Sequence, residues 1–404
     1  MRIIVGTPNW TLNGVNTFSA NLIRGLCSEG FDATLLITGS LWRDPKPLPW
    51  SNDMRAERLL LPPVATFSAR WRALKHYLEA RAPCIYVPNH DVLYSAITPI
   101  LCSSVGVIGL AHSDDPQHYE HLRRLGPWCN AVVGVSSVIT KRLRTMPELN
   151  GIPTFHIPYG VSVADERAAG ADSVTSGDGL EPAGVFNVLY AGRLEQQQKR
   201  VGDLALILHA LHQRGVPARL TVAGEGSERN ALRKAMDALG LADHVRWLGT
   251  VAPSAMPQLY RSHPVLLLPS AYEGLPLVVV EAMAHGCIPV VSAIASGIPE
   301  LIEDGKNGFC VPIGAHQMFA ERLDFLARNT GCREAIAASA RATISGDYTL
   351  NAMVQRYAAL CQEIWKELID GSYKRPAGML VAPGELTLRH RLRAPFARWL
   401  HRRN

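Results

Sequence analysis

The stretch Ser270–Met283, SAYEGLPLVVVEAM, contains two glutamates eight positions apart, Glu273 and Glu281. The apolar run Val265–Leu268 directly before it predicts a buried parallel strand. After a short loop carrying Glu273, the apolar residues predict a helix that stops at Gly286, because glycine is the usual residue just past a helix end. A strand, a short loop and a helix in this order indicate an α/β fold.

The start of the predicted helix has the features of an anion site. Its first turn is expected to hold Gly274, Leu275 and Pro276, since proline at that position gives up no hydrogen bond. The N–H groups of the turn and the helix dipole attract negative charge. A diphosphate there, sugar hydroxyls at Glu273 and a ribose diol at Glu281 match the layout of a nucleotide-sugar. Taken alone, the two glutamates fit a solvent-facing amphipathic helix better than a ligand site.

Composition and charge describe a globular protein of two or three domains. The chain has 404 residues, 47% hydrophobic and 19% charged. Met1–Val5 is strand-like and no run approaches ~20 apolar residues, so we expect neither a signal peptide nor a transmembrane helix, and a cytoplasmic location. The eight cysteines lack zinc spacing and indicate reduced thiols. A net charge of +6 without nucleic-acid motifs argues against a nucleic-acid partner.

The first half begins as a doubly wound domain. Met1–Val5 is followed by a polar loop containing Gly14, a helix over Asn16–Glu29 and a strand over Ala33–Ile37. In such folds ligands bind at the carboxyl ends of the strands, which makes Gly14 a candidate contact. The alternative interpretation is an ordinary tight turn.

A second candidate in this half is His112, which comes directly after the predicted strand Val105–Leu110. A single histidine is more often structural, but its position at the ligand edge favours a functional role. Asp114 and Asp115 follow it, yet two adjacent carboxylates remote from the cations of the second half do not make a convincing metal site, so we expect no required metal.

The second half repeats the pattern after a segment rich in Gly, Ala, Ser and Asp. The strand Phe186–Tyr190 is followed by a loop containing Arg193 and Lys199. In a doubly wound domain this loop and the Glu273 loop can face the same crevice, where two cations would bind a diphosphate and stabilise it as a leaving group. Each cation by itself reads as an ordinary surface charge.

With these motifs in place, the second half resembles the retaining family-4 glycosyltransferases of the GT-B fold. The matching segments follow the family's order across most of residues 186–315: Gly192-Arg193-Leu194, Lys199, Gly224-Glu225-Gly226, Leu248-Gly249-Thr250-Val251, Glu273 to Met283, Gly286 to Val291, Gly297-Ile298-Pro299-Glu300 and Asn307-Gly308. The first half matches less well. Asn13-Gly14-Val15 lacks the first glycine of the family's Gly-Gly-Val loop, and Tyr159 replaces an asparagine in its Ile-Pro-Asn-Gly-Val segment.

The resemblance implies a role for each matched residue. The diphosphate would meet Arg193 and Lys199, the donor sugar would meet Glu273, and the backbone at Gly274, Leu275 and Pro276 would hold the distal phosphate and the sugar. The ribose would contact Glu281 and the base the region of Val251. His112 would lie near the reacting sugar carbon and the acceptor, and Gly14 would make a phosphate contact. No metal or other cofactor is implied, and the departing phosphate would take the acceptor's proton.

The sequence thus predicts the α/β class and the GT-B fold, with two Rossmann-like doubly wound parallel-sheet domains facing an interdomain cleft. The acceptor domain covers residues 1–160, with 346–370 crossing back onto it as the amphipathic helix Leu350–Ile369, and the donor domain covers 186–345. Residues 161–185 are the linker and 371–404 a basic tail.

The predicted function is transfer of a sugar from a nucleoside diphosphate, UDP first and GDP next, to a hydroxyl acceptor with retention. The acceptor would belong to bacterial polysaccharide, lipid-linked glycan or glycosylated-metabolite synthesis. The alternatives are a non-catalytic nucleotide-sugar binder and a GT-B nucleotide-sugar hydrolase or epimerase. The arginine-rich segment 385–404 is open to three interpretations: a solvated end, a peripheral contact with the anionic inner face of a membrane, or a partner site.

Overall fold

The computed structural model of the chain describes residues 1–39, 54–61, 65–89, 91–163 and 184–380. The described residues divide into two compact units. The first comprises Met1–Pro158 and Met353–Asn404, and the second comprises Tyr159–Ala352. The predicted linker 161–185 and tail 385–404 lie largely or wholly outside the described residues.

The described part of the first unit contains a seven-stranded sheet. Its strands are β1 (Arg2–Thr7), β2 (Asp32–Ile37), β3 (Ala56–Arg58), β4 (Cys84–Val87), β5 (Val105–Ala111), β6 (Ala131–Gly134) and β7 (Thr154–His156). Its first helices are α1 (Gly14–Ser28), α2 (Phe67–Glu79), α3 (Pro116–Leu125) and α4 (Ser137–Arg144). Every strand pair is parallel, in the order β3-β2-β1-β4-β5-β6-β7. The central strands β4, β5 and β6 are buried throughout, as expected when helices cover both faces of a parallel sheet.

The described part of the second unit contains a six-stranded parallel sheet in the order β10-β9-β8-β11-β12-β13. Its strands are β8 (Phe186–Ala191), β9 (Ala218–Ala223), β10 (Val245–Gly249), β11 (Val265–Leu268), β12 (Ile288–Ser292) and β13 (Phe309–Val311). Its helices are α5 (Gly202–Gln213), α6 (Arg229–Ala238), α7 (Met256–Ser262), α8 (Leu277–Ala284), α9 (Ile298–Leu301), α10 (His316–Arg328) and α11 (Thr330–Ile344). Both sheets reverse strand order in the middle, which confirms two doubly wound, Rossmann-like units.

The last helix, α12 (Leu350–Ile369), has the bounds that its apolar spacing predicts. From Met353 onward it belongs to the first unit, where Val354 lies against α1 at Gly25. A Cβ on Gly25 would lie 2.1 Å from Val354 Cγ2, so the absence of a side chain there permits the two helices to approach closely.

The chain beyond α12 also packs on the first unit. The Tyr373 hydroxyl donates to the Trp128 carbonyl at 3.3 Å, and the Arg375 N–H donates to Ser103 Oγ at 3.1 Å. The Arg375 guanidinium donates to the carbonyls of Trp128 and Val105. The beginning of the predicted tail is therefore an anchored segment rather than part of a free end.

One local expectation in the first unit is wrong, and α3 was not predicted. Gly14 is the first residue of α1 instead of a loop residue, because the Asn13 side chain caps the helix by accepting from the Asn16 N–H at 2.9 Å. Similarly, α3 begins at Pro116 behind the capping side chain of Asp115. No helix in the described ranges is both long and apolar enough to cross a membrane.

Candidate functional site

The candidate site of the second unit lies where its sheet reverses strand order. β8 and β11 are neighbours, but their connections run to opposite sides of the sheet. Loops at the carboxyl ends of two such strands diverge and leave a crevice, which is the usual ligand position in doubly wound sheets. The loop after β8 carries Arg193 and Lys199, and the loop after β11 carries Glu273.

Two glycines allow the loop after β9 to pack against the loop after β8. A Cβ on Gly224 would lie 1.9 Å from the Gly192 carbonyl oxygen, and a Cβ on Gly226 would lie 2.1 Å from that of Leu194. The Leu194 N–H donates to the Glu225 carbonyl at 2.9 Å. The two loops therefore form one connected layer, which fixes the backbone on both sides of Arg193.

The central contact of this site joins the β8 and β11 loops. Lys199 Nζ lies 2.6 Å from Glu273 Oε1, and the two side chains are only 13% and 7% exposed. The attraction between two opposite buried charges offsets part of the free-energy cost of removing each from water. The structure thus brings together Lys199 and Glu273, two of the residues proposed from the sequence.

Gln198 connects this ion pair to Arg193. Its Nε2 donates to Glu273 Oε2 at 3.3 Å and to the Tyr272 carbonyl at 3.2 Å, while its Oε1 accepts from the Arg193 guanidinium at 3.0 Å. The Gln198 carbonyl also accepts from the Ala271 N–H at 2.7 Å. Arg193 itself is exposed, so its charge is available to a ligand. Gln198 was not predicted as a site residue, although it directly precedes Lys199 in a polar run.

The segment from Gly274 to Pro276 precedes the helix instead of forming its first turn. Helix α8 begins at Leu277, and Pro276 is its N-cap residue with an extended backbone, φ −70° and ψ 102°. Gly297, whose φ is +73°, allows the loop after β12 to approach the backbone of Gly274, since a Cβ at Gly297 would lie 2.1 Å from the Gly274 carbonyl oxygen. The short buried segment therefore leads directly to the N-terminus of α8, where helix N–H groups lack intrahelical partners.

Glu281 lies further along α8 and is only partly exposed. The Tyr260 hydroxyl, from α7, donates to Glu281 Oε2 at 2.7 Å. Burial raises the pKa of Glu281 to about 7, and the Tyr260 hydrogen bond acts in the opposite direction. Tyr260 was not predicted, because its pairing with Glu281 across two helices leaves no local pattern in the sequence.

Val251 lies in the loop after β10 and is half-buried. This loop belongs to the same edge of the sheet, because the Gly249 carbonyl accepts from the Gly224 N–H at 2.7 Å. Backbone hydrogen bonds thereby connect the loop after β8 to the loop after β9, and the start of the loop after β9 to the end of β10. Val251 thus stands on the β10 side of the edge, the side opposite to β11 in the sheet order.

The two candidates of the first unit lie near its own switch point, between β1 and β4. Gly14 is exposed at the start of α1. His112 follows β5 and is 6% exposed, with its Nε2 hydrogen-bonded to the side chain of Asn89, which follows β4. Asn89 was not predicted, although its position as a polar residue directly after a buried strand could have marked it as a candidate site residue.

Across the described ranges, no group of three or more His, Cys, Asp or Glu side chains is arranged to hold a metal.

A doubly wound sheet with a charged crevice at its switch point is typical of ligand-binding α/β proteins, and sequence comparison shows which family the second unit resembles. Residues 177–343 match the family described as "Glycosyl transferases group 1". This part of the chain, which contains the whole Lys199–Glu273 site, is therefore similar to the members of that family.

Two proteins of similar sequence are named as glycosyltransferases. The chain is 31% identical to alpha-D-kanosaminyltransferase of Streptomyces kanamyceticus, covering 44% of this chain and 45% of that one. It is 34% identical to the putative colanic acid biosynthesis glycosyltransferase WcaL of Salmonella typhimurium, covering 38% and 39%. The chain thus spans less than half the length of these two relatives. Anabaena HepE, solved with UDP-glucose, aligns at a TM-score of 0.72 with 20% identity over 90% of this chain and all of HepE, and supports the predicted GT-B fold.

The pKa of Glu281 predicts a pH-dependent stability. Its raised value means that the folded state retains a proton that the unfolded state releases above about pH 4.5. Stability from this group is therefore fully present below pH 4.5 and is lost as the pH rises through 7, by at most about 3 kcal/mol. Urea unfolding at pH 5 and pH 8 should show this loss in the wild type and a smaller loss in Glu281→Gln. Glu334→Gln, at an exposed position, is the control; a pH dependence in Glu281→Gln equal to that of the wild type would contradict the assignment.

Proposed function

We propose that this chain is a retaining glycosyltransferase of family 4, which transfers a sugar from a nucleoside diphosphate to a hydroxyl acceptor. The observation that carries the proposal is the buried Lys199–Glu273 contact at the switch point of the second sheet, with Arg193 attached to it through Gln198. One set of side chains there supplies both cations for a diphosphate and a carboxylate for sugar hydroxyls.

The charges of this site suit a donor that develops negative charge as it reacts. When the bond between the sugar carbon and the phosphate oxygen breaks, the leaving diphosphate gains charge, and Arg193 and Lys199 would stabilise it. An ammonium group has three N–H donors, so Lys199 can contact a phosphate while it still donates to Glu273. These two cations supply positive charge from the chain itself, and the proposal therefore includes no metal or other cofactor.

The remaining donor contacts follow the same edge of the sheet. Sugar hydroxyls would donate to Glu273, and the backbone of Gly274, Leu275 and Pro276 would face the distal phosphate and the sugar. The ribose would contact Glu281, with Val251 beside the base. These roles rest on the family resemblance together with the loop positions.

The first unit would supply His112 near the reacting sugar carbon and Gly14 near a phosphate. The acceptor hydroxyl would attack on the face from which the diphosphate departs, and its proton would pass to the departing phosphate oxygen. One carbon–oxygen bond forms and one breaks, and the configuration at the sugar carbon is retained. No side-chain base is required by this route.

The nucleotide of the donor that we favour is UDP, and GDP is the next candidate. HepE, a neighbour in fold, was solved with UDP-glucose, which supports UDP without fixing the sugar. The name of one relative refers to colanic acid biosynthesis, and the name of the other refers to the transfer of a kanosaminyl group. We therefore propose a hydroxyl of a bacterial polysaccharide, a lipid-linked glycan or a small metabolite as acceptor, and hexose or N-acetylhexosamine as the transferred sugar.

A nucleotide panel tests this function. Among UDP, GDP, TDP and ADP, UDP should raise the melting temperature most, and the matching sugar donors should release nucleotide faster when candidate acceptors are added.

Glu273→Gln and Lys199→Ala should each lower turnover by roughly 100-fold or more, because each removes a contact to the reacting groups. Lys199→Ala should also cost about 3 kcal/mol of stability, since it leaves Glu273 buried and unpaired.

The control for this experiment is Lys306→Ala, which removes an exposed lysine of the same unit. Near-normal turnover in Glu273→Gln would overturn the site assignment. Donor binding without nucleotide release would indicate a non-catalytic binder, and release that no acceptor accelerates would indicate a hydrolase or epimerase.

The location we propose is cytoplasmic, and the basic segment 385–404 decides whether the protein also contacts the inner face of a membrane. We favour a solvated end and expect the full chain and a truncation after Leu380 to sediment equally with anionic vesicles. This truncation spares Arg375, whose guanidinium binds carbonyls of the first unit. Sedimentation that only the full chain shows, and only with anionic vesicles, would establish peripheral membrane contact.

A further inference from the structure

His112 is held in the first unit by contacts from two other elements. The ring of Phe18, on α1, meets the imidazole edge to face at a centroid distance of 5.3 Å. The side chain of Asn89 bonds to His112 Nε2, and Asn89 itself is completely buried. A buried amide in contact with a histidine fixes both the ring orientation and the position of its proton.

The direction of the hydrogen bonds follows from Ser19 on α1. Its hydroxyl donates its single proton to the Val15 carbonyl at 2.8 Å, so it must accept from its second partner. That partner is Asn89 Nδ2, at 2.7 Å. The amide nitrogen of Asn89 therefore faces Ser19, and its carbonyl oxygen faces His112. A carbonyl oxygen only accepts, so His112 Nε2 carries a proton.

The backbone at Asn89 supports a specific role for this residue. Its φ is +56°, in the left-handed region that asparagine tolerates better than most other non-glycine residues. Such conformations persist where the surrounding structure over-determines them, and they cluster at functional sites. Here the backbone conformation places the amide between α1 and the end of β5.

We infer that Asn89 is a positioning residue that holds His112 as the neutral, Nε2-protonated imidazole for the proposed glycosyl transfer. This inference rests on the proposed function, in which His112 lies near the reacting sugar carbon. That carbon gains positive charge in an oxocarbenium-like transition state. A neutral imidazole does not oppose this charge, whereas an imidazolium would. An uncharged amide at position 89 stabilises an imidazolium less than a carboxylate there would, and burial disfavours the charged ring.

The other titratable groups around His112 leave this assignment intact. His118, on α3, has its ring 6.2 Å away, and burial lowers its pKa, which favours its neutral form. Asp115 lies on the far side of His118, at 3.9 Å from its Nε2. From α12, Tyr357 packs against Phe18 with a ring distance of 5.9 Å.

Nitrogen-15 NMR of the histidine-labelled protein without donor tests the proton position independently of any activity. We expect His112 of the wild type to be protonated at Nε2 and neutral at pH 7, and this signature to be lost in Asn89→Gly. Glycine suits the left-handed backbone, so this variant removes the side chain without adding strain. Ser19→Ala should yield a mixture of tautomers, whereas Thr17→Ala, which removes a similar bond to a helix carbonyl, should not.

Kinetics then test the positioning role. Asn89→Gly should lower kcat by roughly 10- to 100-fold with KM for the donor little changed. In Asn89→Asp the pH at which kcat reaches half its maximum should rise by about one unit or more. An Nδ1-protonated or charged His112 in the wild type, or unchanged kcat in Asn89→Gly, would overturn the inference. If no donor were turned over, the proposed function would fail, and the NMR result would still decide whether Asn89 sets the tautomer.

Discussion

The ion pair between Lys199 and Glu273 is the interaction on which the candidate site depends. Neither charge would be tolerated alone in so dry a position, because an uncompensated buried charge costs several kcal/mol. Pairing lets the protein keep a carboxylate and an ammonium group side by side, and Gln198 satisfies the second carboxylate oxygen. The pair also ties the loops after β8 and β11 together, so the same contact that holds the charges shapes the crevice between two diverging strands.

Three glycines at this edge of the sheet allow the loops around the Lys199–Glu273 pair to pack closely. Gly224, Gly226 and Gly297 each stand where a Cβ would overlap a neighbouring carbonyl oxygen, so the loops after β8, β9, β11 and β12 approach one another at backbone distance. Close backbone packing limits the movement of the loops that carry Arg193 and Glu273. A diphosphate-sugar site needs such fixed polar groups, because electrostatic stabilisation is most effective when its groups are already in place.

The sequence predicted the sheet class, and it predicted that the loops carrying Lys199 and Glu273 meet, as the contact between these two side chains confirms. The donor-binding roles of these residues stay predictions. Apolar runs gave the strands of both units, and the amphipathic spacing gave both ends of α12. It missed the start of α8, because proline at 276 fits an N-cap as well as a first turn. Asn89 and Gln198 stand at positions that local patterns mark as polar loop residues, but the partners of Asn89, Gln198 and Tyr260 lie 21 to 75 positions away, and no local pattern records such contacts.

Binding of a nucleotide-sugar across the loops after β8 and β11 can be observed in a crystal structure of the chain with the nucleotide-sugar that stabilises it most. We expect the diphosphate to contact Arg193 and Lys199, and the sugar hydroxyls to lie within hydrogen-bond distance of Glu273. A nucleotide-sugar bound elsewhere, with no contact to Lys199 or Glu273, would show that this crevice is not the donor site.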